Sequence, residues 1–341
     1  MSRIAIIGAG AWGTGLAIVL GRKGGYEVRL WAHEPEVCES ITQRRVNELF
    51  LPAQAIPENV HPTNSFADAT RSAEIVVGVM PSHHCRAIFE KLCSLMEPSM
   101  LLVSATKGLE NGTLLRMTEV VSQVVSEGCG FTPRVGALSG PTFAKEVARG
   151  DPTAITIASH DAELQSTIQR EFSGPTFRVY TSGDLIGVEL GGALKNIIAI
   201  GAGVCDGLGL GHNSVAALIT RGLAEMTRLI VACGGRPQTM AGLAGLGDLV
   251  LTCTGGLSRN RSVGVELGKG RKLPDIIAGM HGMVAEGVFT TGAAVELAKR
   301  YQVEMPITQQ MHSILNSGKS PREAIQELML RSAKRETEFH S

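Results

Sequence analysis

The first fifteen residues constrain this chain more than any other stretch. Ile4-Ala5-Ile6-Ile7 is a short apolar run of the kind that forms a strand buried on both faces. Gly8-Ala9-Gly10-Ala11-Trp12-Gly13 follows at once, and Leu16, Ala17, Val19 and Leu20 then recur at helical spacing. Strand, G-x-G-x-x-G turn and helix in that order predict a tight βα junction that cradles a dinucleotide. Gly8 permits the turn, Gly10 lets backbone approach a pyrophosphate, and Gly13 lets helix and strand pack closely. The helix start offers unpaired N–H groups and a positive dipole end to phosphates. With 41 glycines in the chain the motif alone is cheap, so its flanks carry the weight. The bland reading is a turn that only connects strand to helix.

The alternation continues. Residues 26–31 read as a second strand, ending at Ala32-His33-Glu34. An acidic residue about twenty positions beyond the glycines holds the adenosine ribose in NAD-binding folds. His33 stands near that point, and a histidine does not repel a 2′-phosphate, so the choice between NAD(H) and NADP(H) stays open. Residues 36–49 read as a helix, 50–62 as a proline-bearing loop, and 65–69 as a short helix with Ser65 as N-cap. Strands follow at 74–80, 101–106, 135–138, 153–158 and 177–180, with a helix over 162–172. Parallel sheets carry ligands at the carboxyl ends of their strands. Pro81-Ser82-His83, Thr106-Lys107-Gly108 and the small-residue run Ser139-Gly140-Pro141-Thr142 are placed there. Lys107 faces the crevice on this reading, whereas His83 and His84 read as helix-start residues.

Strand signals stop near Thr181, and the pattern is helical from Gly183 onward. The expected fold is therefore α/β: a Rossmann-like doubly wound sheet over residues 1–181, followed by an all-α domain over 182–341. Residues 184–207 form one long apolar segment with glycines at 187, 191, 192, 201 and 203, which suggests a buried central helix packed against another backbone. Further helices are predicted at 214–233, 260–267, 291–301, 308–315 and 321–335. At 341 residues with 44% hydrophobic content, two sizeable cores are affordable, and 4% aromatics make them aliphatic. Zero net charge excludes a global drive toward nucleic acid or anionic membrane. Seven scattered cysteines without C-x-x-C argue against a disulfide framework or a zinc site, and a reducing cytosol is the simplest setting. The chain opens directly into a strand, without a leader pattern, and its longest apolar runs are too short to cross a bilayer.

Three polar clusters interrupt the apolar half. Lys195 and Asn196 lie midway along the central segment, where a bare charge is costly and must reach a cleft or a partner. Asp248 and Thr252 share a face if a helix starts at Asp248, although Asp248 as a mere N-cap is the bland alternative. Gly255-Gly256-Leu257-Ser258-Arg259-Asn260-Arg261 combines a glycine turn, a Ser N-cap and arginines, a pattern suited to an anion. Arg259 and Arg261 are two apart and face different ways on a helix, so at most one of them grips it. Together the clusters point to a small anionic carbonyl substrate beside a nicotinamide.

The sequence resembles the family of bacterial NAD(P)-dependent glycerol-3-phosphate dehydrogenases over nearly its whole length. The likeness runs through G-A-G-A-W-G-T (8–14), P-S-H (81–83), A-T-K-G-L-E (105–110), S-G-P-T-F-A-K-E (139–146), G-G-A-L-K-N-I-I-A-I-G-A-G (191–203), G-L-G-D-L-V-L-T-C-T (245–254) and S-R-N-R (258–261). The resemblance implies reduction of dihydroxyacetone phosphate to sn-glycerol 3-phosphate, a step that supplies glycerophospholipid backbones, with NAD(H) or NADP(H) and no metal. It implies that Lys195 is the catalytic acid/base, assisted by Asp248 and Lys107. Lys107, Gly140, Thr142, Asp248, Ser258, Arg259 and Asn260 fall on substrate-contacting positions, with Asn196 and Thr252 beside the reacting group. Ala11, Trp12, His33, Lys107, Ala144, Arg259, Val284 and Glu286 fall on coenzyme-contacting positions, next to Gly8, Gly10 and Gly13. Ala11 stands where many relatives have serine, and the run 288–291 after Glu286 is looser than usual. The cysteine usage points to a cytoplasmic setting, and the glycine-rich helical domain is compatible with a homodimer. A β-hydroxyacid or 6-phosphogluconate type of dehydrogenase, and a non-catalytic NAD(P)-sensing protein, are the alternative readings.

Overall fold

Ser2–Ile7 forms β1 and lies inside a single sheet in a computed structural model of the chain, which describes residues 2–280, 285–333, 335 and 336. The other strands are β2 (Tyr26–Trp31), β3 (Val60–Thr63), β4 (Ile75–Gly78), β5 (Leu101–Ser104), β6 (Arg134–Ser139), β7 (Thr153–Ala158) and β8 (Phe177–Ser182). Their order is β3-β2-β1-β4-β5-β6-β7-β8, parallel throughout except for the antiparallel pair β6–β7. Ile4 and Ile6 pack into one core with Leu16, Ala17 and Leu20 of the Ala11–Lys23 helix. Ala5 and Ile7 pack into another with Phe89, Leu92, Val120 and Val124. Both faces of β1 are therefore buried, which is why it reads as an unbroken apolar run. Each of its three isoleucines contributes roughly 1.5–3 kcal/mol on burial. β1 pairs with β2 on one side and β4 on the other, so the strand order reverses beside the glycine turn. A ligand crevice opens at such a reversal.

Several elements differ from expectation. β3 lies in the stretch read as loop; it is a short edge strand, and Pro62 is tolerated there because an edge leaves N–H groups unpaired. The 36–49 helix is shorter, Pro35–Arg44, and ends at Arg45 in the left-handed region. The Arg45 guanidinium then ties the following loop to the carbonyls of Ile56 and Val60. Asn47 just beyond is fully buried, and its amide donates to Ala9 O at 2.7 Å and to Thr14 Oγ1 at 2.8 Å. The loop thus braces the glycine turn from behind. The cysteine reading also needs correction: Cys93 and Cys129 form a disulfide across 36 residues, joining the ends of the segments Cys93–Leu95 and Met117–Cys129. No local spacing motif announces a bridge of that length.

The central helix runs Leu185–Gly207, with Asp184 as N-cap accepting from Gly187 N at 2.9 Å. It is long and apolar enough to span a membrane, but 94% of its most apolar window is buried inside the protein. It packs backbone to backbone on the Arg259–Gly268 helix. A Cβ on Gly203 would collide with Arg261 O, and one on Gly264 with Ile200 O. A Cβ on Gly191 would likewise strike Ala244 O, whereas Gly192 and Gly201 lie against the side chains of Ser139 and Leu218, so the backbone packing expected from the spacing holds for part of the set. Around this pair sit the helices His212–Ala232, Glu286–Arg300, Pro306–Ser317 and Pro321–Met329, in a core of their own.

Candidate active site

The glycine turn has the shape its motif demands. Gly8 adopts φ +123°, and a Cβ there would strike Val79 O. A Cβ on Gly13 would strike Gly8 O, so helix and turn touch directly. Gly10 differs from both: nothing lies within 4 Å of its Cβ position. Packing does not require a glycine there, whereas a close-approaching ligand does. No side chain among the described residues caps the Ala11–Lys23 helix, which leaves its first N–H groups available to phosphate. Trp12 Nε1 is buried and has no hydrogen-bond partner among the described residues. Ala144 opens the Ala144–Arg149 helix and lies against Gly15, and His33 is exposed just past the end of β2. These features fit a dinucleotide. Val284 lies outside the described residues.

The lysines meet on one carboxylate. Lys195 Nζ donates to Asp248 Oδ1 and to Thr252 Oγ1, each at 2.7 Å. Lys107 Nζ donates to Asp248 Oδ2 at 2.7 Å and to Gly140 O at 2.8 Å. Thr142 Oγ1 also donates to Gly140 O, at 3.2 Å. Asp248 is 1% exposed and Lys195 6%. An ammonium has three hydrogens. Each lysine therefore keeps one without a partner among the described residues. Burial lowers the pKa of Lys195 to about 8, with Asp248 opposing the shift and Lys107 adding to it. Asp248 is not the N-cap of its helix (Asp248–Thr254), where Gly247 takes that place. A π-helical segment, Leu243–Gly247, leads in, with Gly247 N donating to Gly242 O at 3.1 Å. That wider turn delivers Asp248 and Thr252 to Lys195, and such bulges concentrate at functional sites.

The anion cluster is also in place. Ser258 Oγ caps the Arg259–Gly268 helix by accepting from Arg261 N at 3.2 Å. Arg261 is spent on Asp206 at 2.7 Å. Arg259 is exposed and has neither an ion pair nor a hydrogen bond among the described residues. Asn260 Nδ2 donates to Asn196 Oδ1 at 2.9 Å, so the anion helix is tied to the residue after Lys195. Phe143 packs under Gly255 and brings the 139–146 run against the same turn.

Other contacts were not visible in the sequence. Glu286 accepts from Ser82 N at 3.0 Å and from Ser82 Oγ at 2.6 Å, although P-S-H had drawn notice for its histidine. His83 stacks on Phe289 at 4.8 Å, and burial lowers its pKa, as suits a packed helix-start residue. Glu189 on the central helix accepts from Arg116 Nη1 at 2.6 Å and from Thr118 N at 2.9 Å. Arg86 grips Glu110 with two hydrogen bonds, 2.9 and 2.8 Å, steadying the loop that carries Lys107. The one available signal was a carboxylate in an apolar or motif setting, which implies a partner without naming it.

Comparison with known proteins agrees with this geometry. Residues 3–165 match the model of the NAD-dependent glycerol-3-phosphate dehydrogenase N-terminus, and residues 184–326 that of the C-terminus. A glycerol-3-phosphate dehydrogenase [NAD(P)+] of Koribacter versatilis is 69% identical over 331 residues, covering 97% of this chain and 98% of that one. The protein of the same name from Acidobacterium capsulatum is 56% identical, covering 98% and 100%. The crystal structure of glycerol-3-phosphate dehydrogenase from Coxiella burnetii superposes with a TM-score of 0.91 at 41% identity, covering 97% and 99%. A glycine turn shaped for a dinucleotide, a lysine pair on one buried aspartate and these matches lead to one conclusion: the chain belongs to the NAD-dependent glycerol-3-phosphate dehydrogenase family.

Proposed function

We propose that this protein reduces dihydroxyacetone phosphate at C2 to sn-glycerol 3-phosphate, reversibly, with NAD(P)H. The observation that carries this reading is Lys195: a buried ammonium with two hydrogens fixed and one without a partner among the described residues, followed by Asn196, which accepts from the residue after Arg259. The coenzyme, when bound, supplies the hydride. The remaining hydrogen of Lys195 bonds the carbonyl oxygen, stabilises the growing alkoxide and is then transferred to it. A pKa of about 8 keeps both forms of the lysine populated near neutrality, which suits a reaction that runs both ways. Asp248 and Thr252 hold the ammonium in place, and Lys107 adds positive charge. Asn196 and Asn260 fix the polar wall of the pocket.

Arg259 and the first turn behind Ser258 hold the substrate's phosphate, so that remote binding energy orients the carbonyl. Gly140 and Thr142 line the substrate side. The coenzyme is held by Gly8, Gly10, Ala11, Trp12, Gly13, His33 and Ala144, together with Lys107, Arg259 and Glu286; the family resemblance adds Val284. The same reading divides the chain at residue 181, makes the product a backbone for glycerophospholipids, and takes the working unit to be a cytoplasmic homodimer. Initial rates of NADH and NADPH oxidation with dihydroxyacetone phosphate test the reaction. Lys195→Ala is expected to lose roughly 10²–10⁴-fold in turnover while still binding coenzyme. Undiminished turnover in that variant would remove Lys195 from the chemistry.

A further inference from the structure

Arg259 and Glu286 carry opposite charges at the starts of two helices that abut. Asn260 Oδ1 accepts from Gly287 N at 2.9 Å, so the Arg259–Gly268 and Glu286–Arg300 helices begin side by side. The two charges sense each other. Crowding by surrounding protein atoms weakens the hold of the solvent-accessible Arg259 on its proton and Glu286 opposes this, while burial raises the pKa of Glu286 and Ser82 and Arg259 draw it back down. Yet they form no ion pair within 4.0 Å. The cause lies at the carboxylate. Ser82 N takes one oxygen of Glu286 and Ser82 Oγ the other. Gly108 closes around this clasp: a Cβ there would lie 2.7 Å from Ser82 Oγ and 3.1 Å from Glu286 Oε2. Ser82 itself is 2% exposed, in the short turn Ser82–His84 that follows β4.

We infer that Ser82 is a positioning residue: by occupying both carboxylate oxygens of Glu286 it keeps that carboxylate off Arg259 and leaves the guanidinium free for the substrate's phosphate. This rests on the reading of Arg259 as the phosphate grip. It also separates two jobs that adjacency would otherwise merge, a carboxylate needed at the coenzyme side and an arginine needed at the substrate side. Without the Ser82 hydroxyl, Oε2 of Glu286 is released to turn toward Arg259 and compete with an incoming anion, while Ser82 N still holds Oε1.

The test is a double-mutant cycle on the full chain, read as affinity for inorganic phosphate by calorimetry without coenzyme. Ser82→Ala is expected to weaken phosphate binding roughly tenfold, equivalent to about 1.4 kcal/mol. In the Glu286→Gln background the same substitution should change affinity by less than about twofold. A Ser82 that only supports the fold would weaken binding equally in both backgrounds, and that result overturns the inference, as does no weakening in either. Wild-type protein that fails to bind phosphate overturns it too. If Ser82→Ala does not fold, Ser82→Cys, whose thiol is a weak donor, takes its place in the same cycle: several-fold weaker phosphate binding that disappears in the Glu286→Gln background supports the clasp, and an equal change in both backgrounds or none in either rejects it. Turnover of dihydroxyacetone phosphate by the wild type is a separate arm. Its absence with the phosphate pattern intact rejects the proposed reaction and supports the clasp. Turnover with a flat phosphate cycle rejects the clasp alone.

Discussion

Replacing Asp248 by asparagine probes the electrostatics of the site most directly. The carboxylate is buried and accepts from Lys195 and Lys107, both at 2.7 Å. Asp248→Asn keeps the size and one acceptor oxygen but removes the charge. An opposite charge at this range supports a partner's pKa by roughly 1–3 units, so Lys195 should fall from about 8 to roughly 6. The proposed reduction needs the ammonium form, so its rate is highest below the lysine pKa and declines as pH rises through it. At about pH 7.5 the protonated fraction drops from about 0.75 to about 0.03, a loss of roughly 25-fold in kcat/KM. The assay is the pH profile of kcat/KM for dihydroxyacetone phosphate at saturating coenzyme, from roughly pH 5.5 to 9.5. The declining limb should move from about 8 in the wild type to roughly 6 in the variant. Oxidation of glycerol 3-phosphate, which needs the neutral amine, should show the mirror-image rise. A variant whose limb stays near its wild-type position would refute the argument, because Asp248 would then act on geometry and not on the proton.

Other parts of the structure give sharper outcomes. Arg259→Ala should raise KM for the phosphorylated substrate at least tenfold, a larger effect than on KM for the coenzyme; an unchanged KM for the substrate in steady-state rates would move the phosphate site elsewhere. Gly264→Ala places a Cβ against Ile200 O, a backbone atom that cannot give way, so urea unfolding should show a loss of about 3 kcal/mol or more. Glu225 is buried and accepts from Ile307 N at 2.6 Å, and burial raises its pKa to about 7. Its folded pKa lies above the unfolded one, so its contribution to stability is complete below about pH 4.5 and is lost as pH rises through about 7. Thermal unfolding of Glu225→Gln should therefore show a flatter decline than the wild type across that window.

What the sequence revealed, and what it did not, follows from range. Ile4 to Ile7 announced β1 because both faces of the strand are buried, and neighbours along the chain suffice to show that. Gly191 and Gly203 announced backbone contacts, against Ala244 O and Arg261 O, because only close packing justifies glycine inside a helix. β3 gave no such signal: four residues at an edge, one of them proline, need no apolar run. Asp248 was ambiguous, since a glycine turn before an aspartate suits both a cap and a ligand of lysine. The π-helical turn resolves it, and hydrogen-bond registers of that kind leave no pattern in composition.

The site contacts hidden from sequence share a form. Glu189 accepts from Arg116 and Thr118, Asp248 from Lys107, and Glu286 from Ser82. In each case a buried or partly buried carboxylate of the helical half is held by donors that follow a strand of the sheet half. Their separations along the chain are 73, 71, 141 and 204 residues. A carboxylate among apolar neighbours must find donors or lose its charge, so the sequence can state that a partner exists. It cannot state which, because the donors are ordinary serine, threonine, lysine and arginine until the sheet places them. The crevice geometry thus depends on three carboxylates that each need the other half of the chain. That dependence makes the register of the two halves, more than any single motif, the condition for a proton, a phosphate and a hydride to meet at one carbon.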